Sequence, residues 1–125
     1  MPTIVGIAIA GALGALARYG LEGVASRRLP TVFPWGTLAV NVSGALVLGF
    51  LFTLTTERVV VAPWLRSAIA VGFLGAYTTF STFSLETLRL LEDGARGLAL
   101  LNAAASVALG LAAVYAGVVL GRALP

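Results

Sequence analysis

The chain has 125 residues, of which 59% are hydrophobic and only 10% are charged, and its net charge is +3. A soluble domain carries about 25% charged residues, so this composition excludes an ordinary water-exposed surface and indicates a membrane protein. The absence of Cys and His removes disulfides, a Ser-His-Asp triad and an ordinary zinc site, and we expect no enzyme activity.

Prolines divide the chain into four apolar runs. They lie at ends or joints: Pro2, Pro30, Pro34, Pro63 and Pro125. Because proline interrupts a helix and about 20 residues cross a bilayer, we predict helices at about 4–26, 36–55, 64–91 and 96–121. The runs form one membrane domain covering residues 1–125. No positive segment precedes the first run, so we expect no cleaved signal peptide.

The first predicted helix carries an arginine and a glutamate one turn apart, Arg18 and Glu22. This spacing suits a helical ion pair near the membrane surface. It is equally compatible with a positive field that draws anions towards a vestibule. In the second helix, Asn41 shares a face with Thr37 and Gly44. Its amide has both donors and an acceptor, so it can bind an anion or join two helices.

The third apolar run is longer than one crossing requires and contains glycines before a polar stretch. Gly72 and Gly75 precede Tyr77-Thr78-Thr79, which predicts a break in the helix near 75–79. A broken helix frees backbone carbonyls, and such carbonyls often coordinate a cation in transport proteins.

Two phenylalanines follow this break at helical spacing, Phe80 and Phe83, with Glu86 one turn further. An aromatic ring has a positive edge, so two rings turned edge-on beside hydroxyl donors would favour a small anion. The alternative is an aromatic packing pair with hydroxyls bonded back to the helix. The fourth helix adds Asn102 and Ser106 on one face, where both could donate hydrogen bonds.

The arginines give no clear orientation in the membrane. Arg58, Arg66 and Arg122 fall on one predicted side, and the other side holds Arg27, Arg28, Arg89 and Arg96. Cytoplasmic loops normally carry the excess of positive charge. Either the predicted boundaries are a few residues off, or the chain inserts in both orientations and pairs antiparallel. A two-fold dimer would also enlarge the small interior of a four-helix chain.

Three segments resemble signatures of the Fluc (CrcB) family of fluoride channels, in the same order. They are GALGALARYG at 11–20, FPWGTLAVNVSGALVLG at 33–49 and GFLGAYTTFSTFSLE at 72–86. The resemblance implies an all-α, antiparallel, dual-topology homodimer in the plasma (inner) membrane. It also implies two fluoride pathways in each dimer.

The resemblance further implies roles for individual residues. Phe80 and Phe83 match the phenylalanines whose ring edges contact fluoride, and Asn41 matches the pore asparagine. Hydroxyl donors to the pathway come from a polar stretch with Thr79, Ser81, Thr82 and Ser84, and Asn102 and Ser106 are candidates to extend it.

Three further assignments concern charge. Gly75 and Thr78 match positions whose carbonyls hold a structural Na⁺ at the dimer centre. Arg18 matches a vestibule arginine, and Glu86 is a candidate for the pathway end.

These features predict a passive channel that exports fluoride from the cytoplasm. A proton-coupled exporter of the small multidrug-resistance type is the alternative, although it would need an acid in the middle of the first helix, where this chain has none. A membrane scaffold without ion flux is the third possibility.

Overall fold

The computed structural model describes residues 1–125 and contains only helices and the segments that join them. We label the helices α1 (Pro2–Arg28), α2 (Trp35–Arg58), α3 (63–77), α4 (Phe80–Glu92) and α5 (Arg96–Ala123). Helices α3 and α4 together form one membrane span, Pro63–Glu92, so the chain has four spans. The predicted four-helix membrane fold is thereby confirmed.

The third span breaks at Thr78 and Thr79, within the predicted 75–79 stretch. Both residues have extended backbones, with φ and ψ of −88° and 156° at Thr78 and of −150° and 112° at Thr79. The side chain of Thr79 accepts a hydrogen bond from the Thr82 amide, which is the usual way a threonine caps a helix start. Helix α4 therefore begins with a capped N-terminus directly after the break.

Two π-helical turns widen the helices at places that the sequence did not predict. One is Leu54–Arg58 at the end of α2, and the other is Ala68–Leu74 within α3. The first turn closes with the Val59 amide donating to the Leu54 carbonyl at 2.8 Å. π-helical turns are rare and frequently lie beside functional sites.

Glycines allow two helix pairs to approach closely. A Cβ at Gly49 would clash with the Val114 carbonyl of α5, and one at Gly117 would clash with the Leu46 carbonyl of α2. Gly14 of α1 meets the backbone at Phe73 of α3 in the same way. Small residues at such contacts are typical of helix packing in lipid, so α2 packs on α5 and α1 packs on α3.

Most of the apolar side chains point outwards. Only 16 of 125 residues are buried, and large hydrophobic residues along all the helices are exposed. In water this surface would be strongly unfavourable, so it must face lipid or another protein chain.

Candidate functional site

The break in the third span is tied to α2 by Asn41. Its side-chain nitrogen donates to the Thr79 carbonyl at 3.0 Å, and its side-chain oxygen accepts from the Thr79 amide at 2.7 Å. One amide side chain therefore satisfies both backbone groups of Thr79, which lies in the break. Of the two functions that the sequence left open for Asn41, this contact is the joining of two helices, and anion binding stays a prediction.

Two further contacts hold the same region against α2. The Ser43 hydroxyl lies 2.9 Å from the Tyr77 hydroxyl. Gly44 leaves room for the Thr78 side chain, and a Cβ at residue 44 would clash with the Thr78 Cγ2 atom. The sequence NVSG at 41–44 thus forms a platform on which the broken segment is fixed.

A cavity of about 400 Å³ lies directly beside the break. Its wall brings together seven of the predicted site residues: Asn41, Gly75, Thr78, Thr79, Phe80, Phe83 and Ser106. They come from four helices and the break between two of them, so the fold assembles a single polar and aromatic site from distant parts of the sequence. We call it the break cavity.

The two phenylalanines are tilted and neither is packed away in a core. Their ring centroids are 5.8 Å apart at an interplanar angle of 46°. Phe80 is 80% exposed in the single chain, whereas Phe83 is half-buried. An exposed aromatic ring on the wall of a cavity is available to contact an ion or a second protein chain.

Ser106 and Asn102 behave differently although they share a face of α5. The Ser106 hydroxyl is buried on the break cavity and has no hydrogen-bond partner. Asn102 is only 2% exposed, and its amide nitrogen donates to the Thr87 hydroxyl at 2.9 Å. Ser106 therefore lines the cavity and has an unpartnered hydroxyl, whereas Asn102 lies outside the cavity and joins α5 to α4.

The remaining hydroxyls lie along α4 in different surroundings. The Thr79 hydroxyl donates to the Thr82 hydroxyl at 3.1 Å, and the Ser81 hydroxyl lies 3.4 Å from that of Thr79. The Ser84 hydroxyl donates to the Phe80 carbonyl at 2.9 Å. Thr79, Ser81 and Thr82 form one connected cluster, while Ser84 is bonded back to its own exposed helix face.

A second cavity, of about 410 Å³, opens where α1 ends and α2 begins, and we call it the mouth cavity. Thr82, Glu86 and Arg89 of α4 line it, together with Glu22 of α1 and Thr37 of α2. One carboxylate oxygen of Glu22 and one of Glu86 are buried there without a hydrogen bond. Thr37 is 4% exposed, and its position one turn before Asn41 could have identified it as a lining residue.

Arg18 makes the predicted contact with Glu22 and a second contact that was not predicted, and its vestibule role stays a prediction. Its Nε donates to the Ala76 carbonyl at 3.1 Å, and a terminal nitrogen lies 3.9 Å from a Glu22 oxygen. The bond to Ala76 satisfies a carbonyl just before the break. No sequence spacing could have identified that contact, because it joins residues 58 positions apart.

The comparisons with known proteins agree across the whole chain. The model of the family described as CrcB-like protein, Camphor Resistance (CrcB), matches residues 5–118. A relative from Magnetococcus marinus is 51% identical over 116 residues, which cover 93% of this chain and 94% of the relative. Relatives from Citrifermentans bemidjiense and Geobacter sulfurreducens are each 48% identical, covering 99% of this chain and 100% of theirs. All three are named fluoride-specific ion channel FluC.

Proposed function

The chain belongs to the CrcB-like family, and we propose that it is a fluoride-selective channel in the plasma membrane, with the break cavity as part of the ion path. The observation that carries this proposal is the convergence of Phe80, Phe83, Asn41 and Ser106 on one cavity at membrane depth. Polar groups at that depth are costly and typically mark an ion or substrate path.

The chemistry of the lining suits a small, strongly hydrated anion. Ser106 offers an unpartnered hydroxyl, and the Asn41 nitrogen retains one N–H beyond the bond to Thr79. The positive edges of Phe80 and Phe83 add attraction without a full positive charge. Several moderate donors can replace hydration water while still releasing the ion, which conduction requires.

The Thr79–Ser81–Thr82 cluster leads from the break cavity towards the mouth cavity. Thr79 lines the first cavity, and Thr82 lines the second. Hydroxyls can rotate to donate to a passing anion, so this cluster is the best continuation of the path. Glu86 and Thr37 then lie at its outer end, and Arg18, bonded to the Ala76 carbonyl, contributes positive charge near the break.

We infer that two antiparallel copies complete the site. The break cavity is open on one side in the single chain, and Phe80 on its wall is 80% exposed. A second copy related by a two-fold axis would close the cavity and would create two equivalent paths. The even distribution of arginines supports insertion of the chain in both orientations.

The backbone at the break also fits the expected structural Na⁺. The Thr79 amide donates to Asn41, so the Gly75 carbonyl lacks the amide that a continuous helix would supply four residues later. Carbonyl oxygens are suitable ligands for hard cations. Gly75 and Thr78 from two copies would hold the ion, whose charge would neutralise the carbonyl dipoles at the dimer centre.

The direct test is fluoride efflux from liposomes, followed with a fluoride-selective electrode. We expect Phe80→Ile and Phe83→Ile each to lower the rate by about tenfold or more, which corresponds to ~1.4 kcal/mol on the barrier. Phe50→Ile is the matched control, because Phe50 lines neither cavity. Both variants must still elute as dimers.

Unchanged efflux in both variants would remove the two rings from the path. Efflux that requires a pH gradient would instead favour a proton-coupled exporter. If the wild-type protein showed no efflux, the remaining possibility would be a membrane scaffold without ion flux.

A further inference from the structure

A third cavity lies at the other end of the membrane span, between the end of α2 and the start of α3. Its volume is about 200 Å³, and its wall is almost entirely apolar, with Leu51, Phe52, Leu65 and Ile69 among its residues. Thr55 also lines it, but its hydroxyl donates to the Leu51 carbonyl at 2.8 Å. Because the Thr55 hydroxyl already donates its proton within the helix, the wall of the cavity is suited to a hydrocarbon chain.

Arg66 is the one charged residue on this wall. Its guanidinium carbon lies 5.8 Å from the centre of the Phe52 ring, a cation–π contact that holds the charge at the cavity. Arg66 makes no ion pair and no side-chain hydrogen bond. The guanidinium N–H groups have no acceptor in the protein, so they are free to bind an anion.

The protein supplies no carboxylate side chain for this arginine. Of the acidic residues, only Glu57 lies at this end of the helix bundle. Both Glu57 oxygens are already bound by Arg122, at 3.0 and 3.1 Å. Arg66 is therefore left as an unpaired positive charge on the wall of an apolar cavity.

We propose that this cavity, which we call the α2–α3 cavity, binds one anionic phospholipid from the surrounding membrane. An acyl chain occupies the apolar cavity, and the phosphate accepts hydrogen bonds from Arg66. Arginine binds phosphate oxygens in a bidentate manner, and the negative surface of a membrane supplies such headgroups. The cavity borders the break cavity at Leu48 and Ala70, but none of the predicted fluoride-contacting residues lines it.

Trp64 provides a built-in reporter for the test. It lies two residues from Arg66 at the start of α3 and is 42% exposed. The other tryptophan, Trp35, is replaced by Phe so that all emission comes from Trp64. Quenching is then measured in vesicles that contain phosphatidylcholine and phosphatidylglycerol, with bromine on the acyl chains of either lipid. The ratio gives the relative association of the two lipids near this site.

We expect phosphatidylglycerol to be favoured about fivefold over phosphatidylcholine, which is the preference that one arginine near an anionic membrane surface provides. Arg66→Gln should abolish the preference, and Ile69→Phe should reduce it by filling the cavity while leaving the charge. Arg58→Gln is the matched control, since it removes the same charge from the same side outside the cavity.

Equal quenching by the two lipids in the Trp35→Phe protein would overturn the proposal. Equal losses in Arg66→Gln and Arg58→Gln would also overturn it, because they would indicate attraction to the surface as a whole. If a second copy covered the cavity instead, Arg66→Gln would change the dimer fraction measured by cross-linking and would leave quenching unchanged.

Discussion

Asn41 has two tasks that its amide can perform together. One N–H and the oxygen bind the backbone of Thr79, which leaves the second N–H without a partner in a residue that lines the break cavity. No other neutral side chain except glutamine has this set of donors and acceptor. A substitution at Asn41 will therefore affect the structural contact and, if the proposed path is correct, ion binding as well.

Asn41→Asp separates these effects in part. Aspartate can still accept from the Thr79 amide, but it cannot donate to the Thr79 carbonyl and it adds negative charge. We expect a loss of about 1–3 kcal/mol in stability from the unpaired carbonyl and loss of fluoride efflux. Thermal unfolding in detergent and efflux from liposomes measure the two.

Ser43→Ala is the control for Asn41→Asp. Ser43 lies on the same helix as Asn41, and the substitution removes its hydrogen bond to the Tyr77 hydroxyl without adding charge. It should cost about 1 kcal/mol and should retain efflux. Wild-type efflux in Asn41→Asp would place Asn41 outside the ion path.

Ser106 and Asn102 allow a contrast between a polar residue proposed to face the ion and one that joins two helices. Ser106→Ala removes a hydroxyl that bonds to nothing in the protein, so stability should stay within about 0.5 kcal/mol while efflux falls several-fold. Asn102→Ala removes the bond to Thr87 and should cost about 1–3 kcal/mol. Thermal unfolding in detergent and fluoride efflux from liposomes measure these two effects. The opposite pattern, with an unstable Ser106→Ala and a stable Asn102→Ala, would reverse these assignments.

At the scale of elements, the break in the third span could be predicted from the sequence, whereas the contacts that hold the break in place could not. Gly72, Gly75 and the threonine pair predicted a break near 75–79, and Thr78 and Thr79 are the extended residues. The bond from Arg18 to Ala76 was not predictable, because it depends on how α1 packs against α3. The π-helical turns were also missed, since no residue type marks them and tertiary packing decides where a helix widens.

The contact between α2 and α5 depends on glycine at Gly49 and Gly117. Gly117→Ala places a methyl group against the Leu46 carbonyl, and we expect a loss of about 1–3 kcal/mol from overpacking. Gly110→Ala is the matched control in the same helix, since nothing lies within 4 Å of a Cβ there. It should raise stability by about 0.5–1 kcal/mol through higher helix propensity. Similar melting temperatures for both variants would show that α2 and α5 pack more loosely than the structure indicates.

At the scale of the molecule, a single chain encloses too little volume to form a closed ion path. Its buried residues are few, and the break cavity has one open side with an exposed phenylalanine on its wall. The lipid-facing surface and a subunit interface cannot be distinguished from hydrophobicity, because both are apolar. The even distribution of the arginines is the one global feature that favours two copies of opposite orientation.

Added charge can force the chain into one orientation and so test whether function needs both. Val60 lies in the join between α2 and α3 and is fully exposed, and Val32 lies in the join between α1 and α2 and is 71% exposed. Val60→Arg and Val32→Arg add positive charge to opposite sides of the membrane, and each should hold its own side in the cytoplasm. Each variant expressed alone should then lose most fluoride export from cells. Co-expression of the two should restore it, because antiparallel pairs can form again. Full export by either variant alone, together with a single orientation shown by labelling of an added cysteine, would exclude an antiparallel dimer.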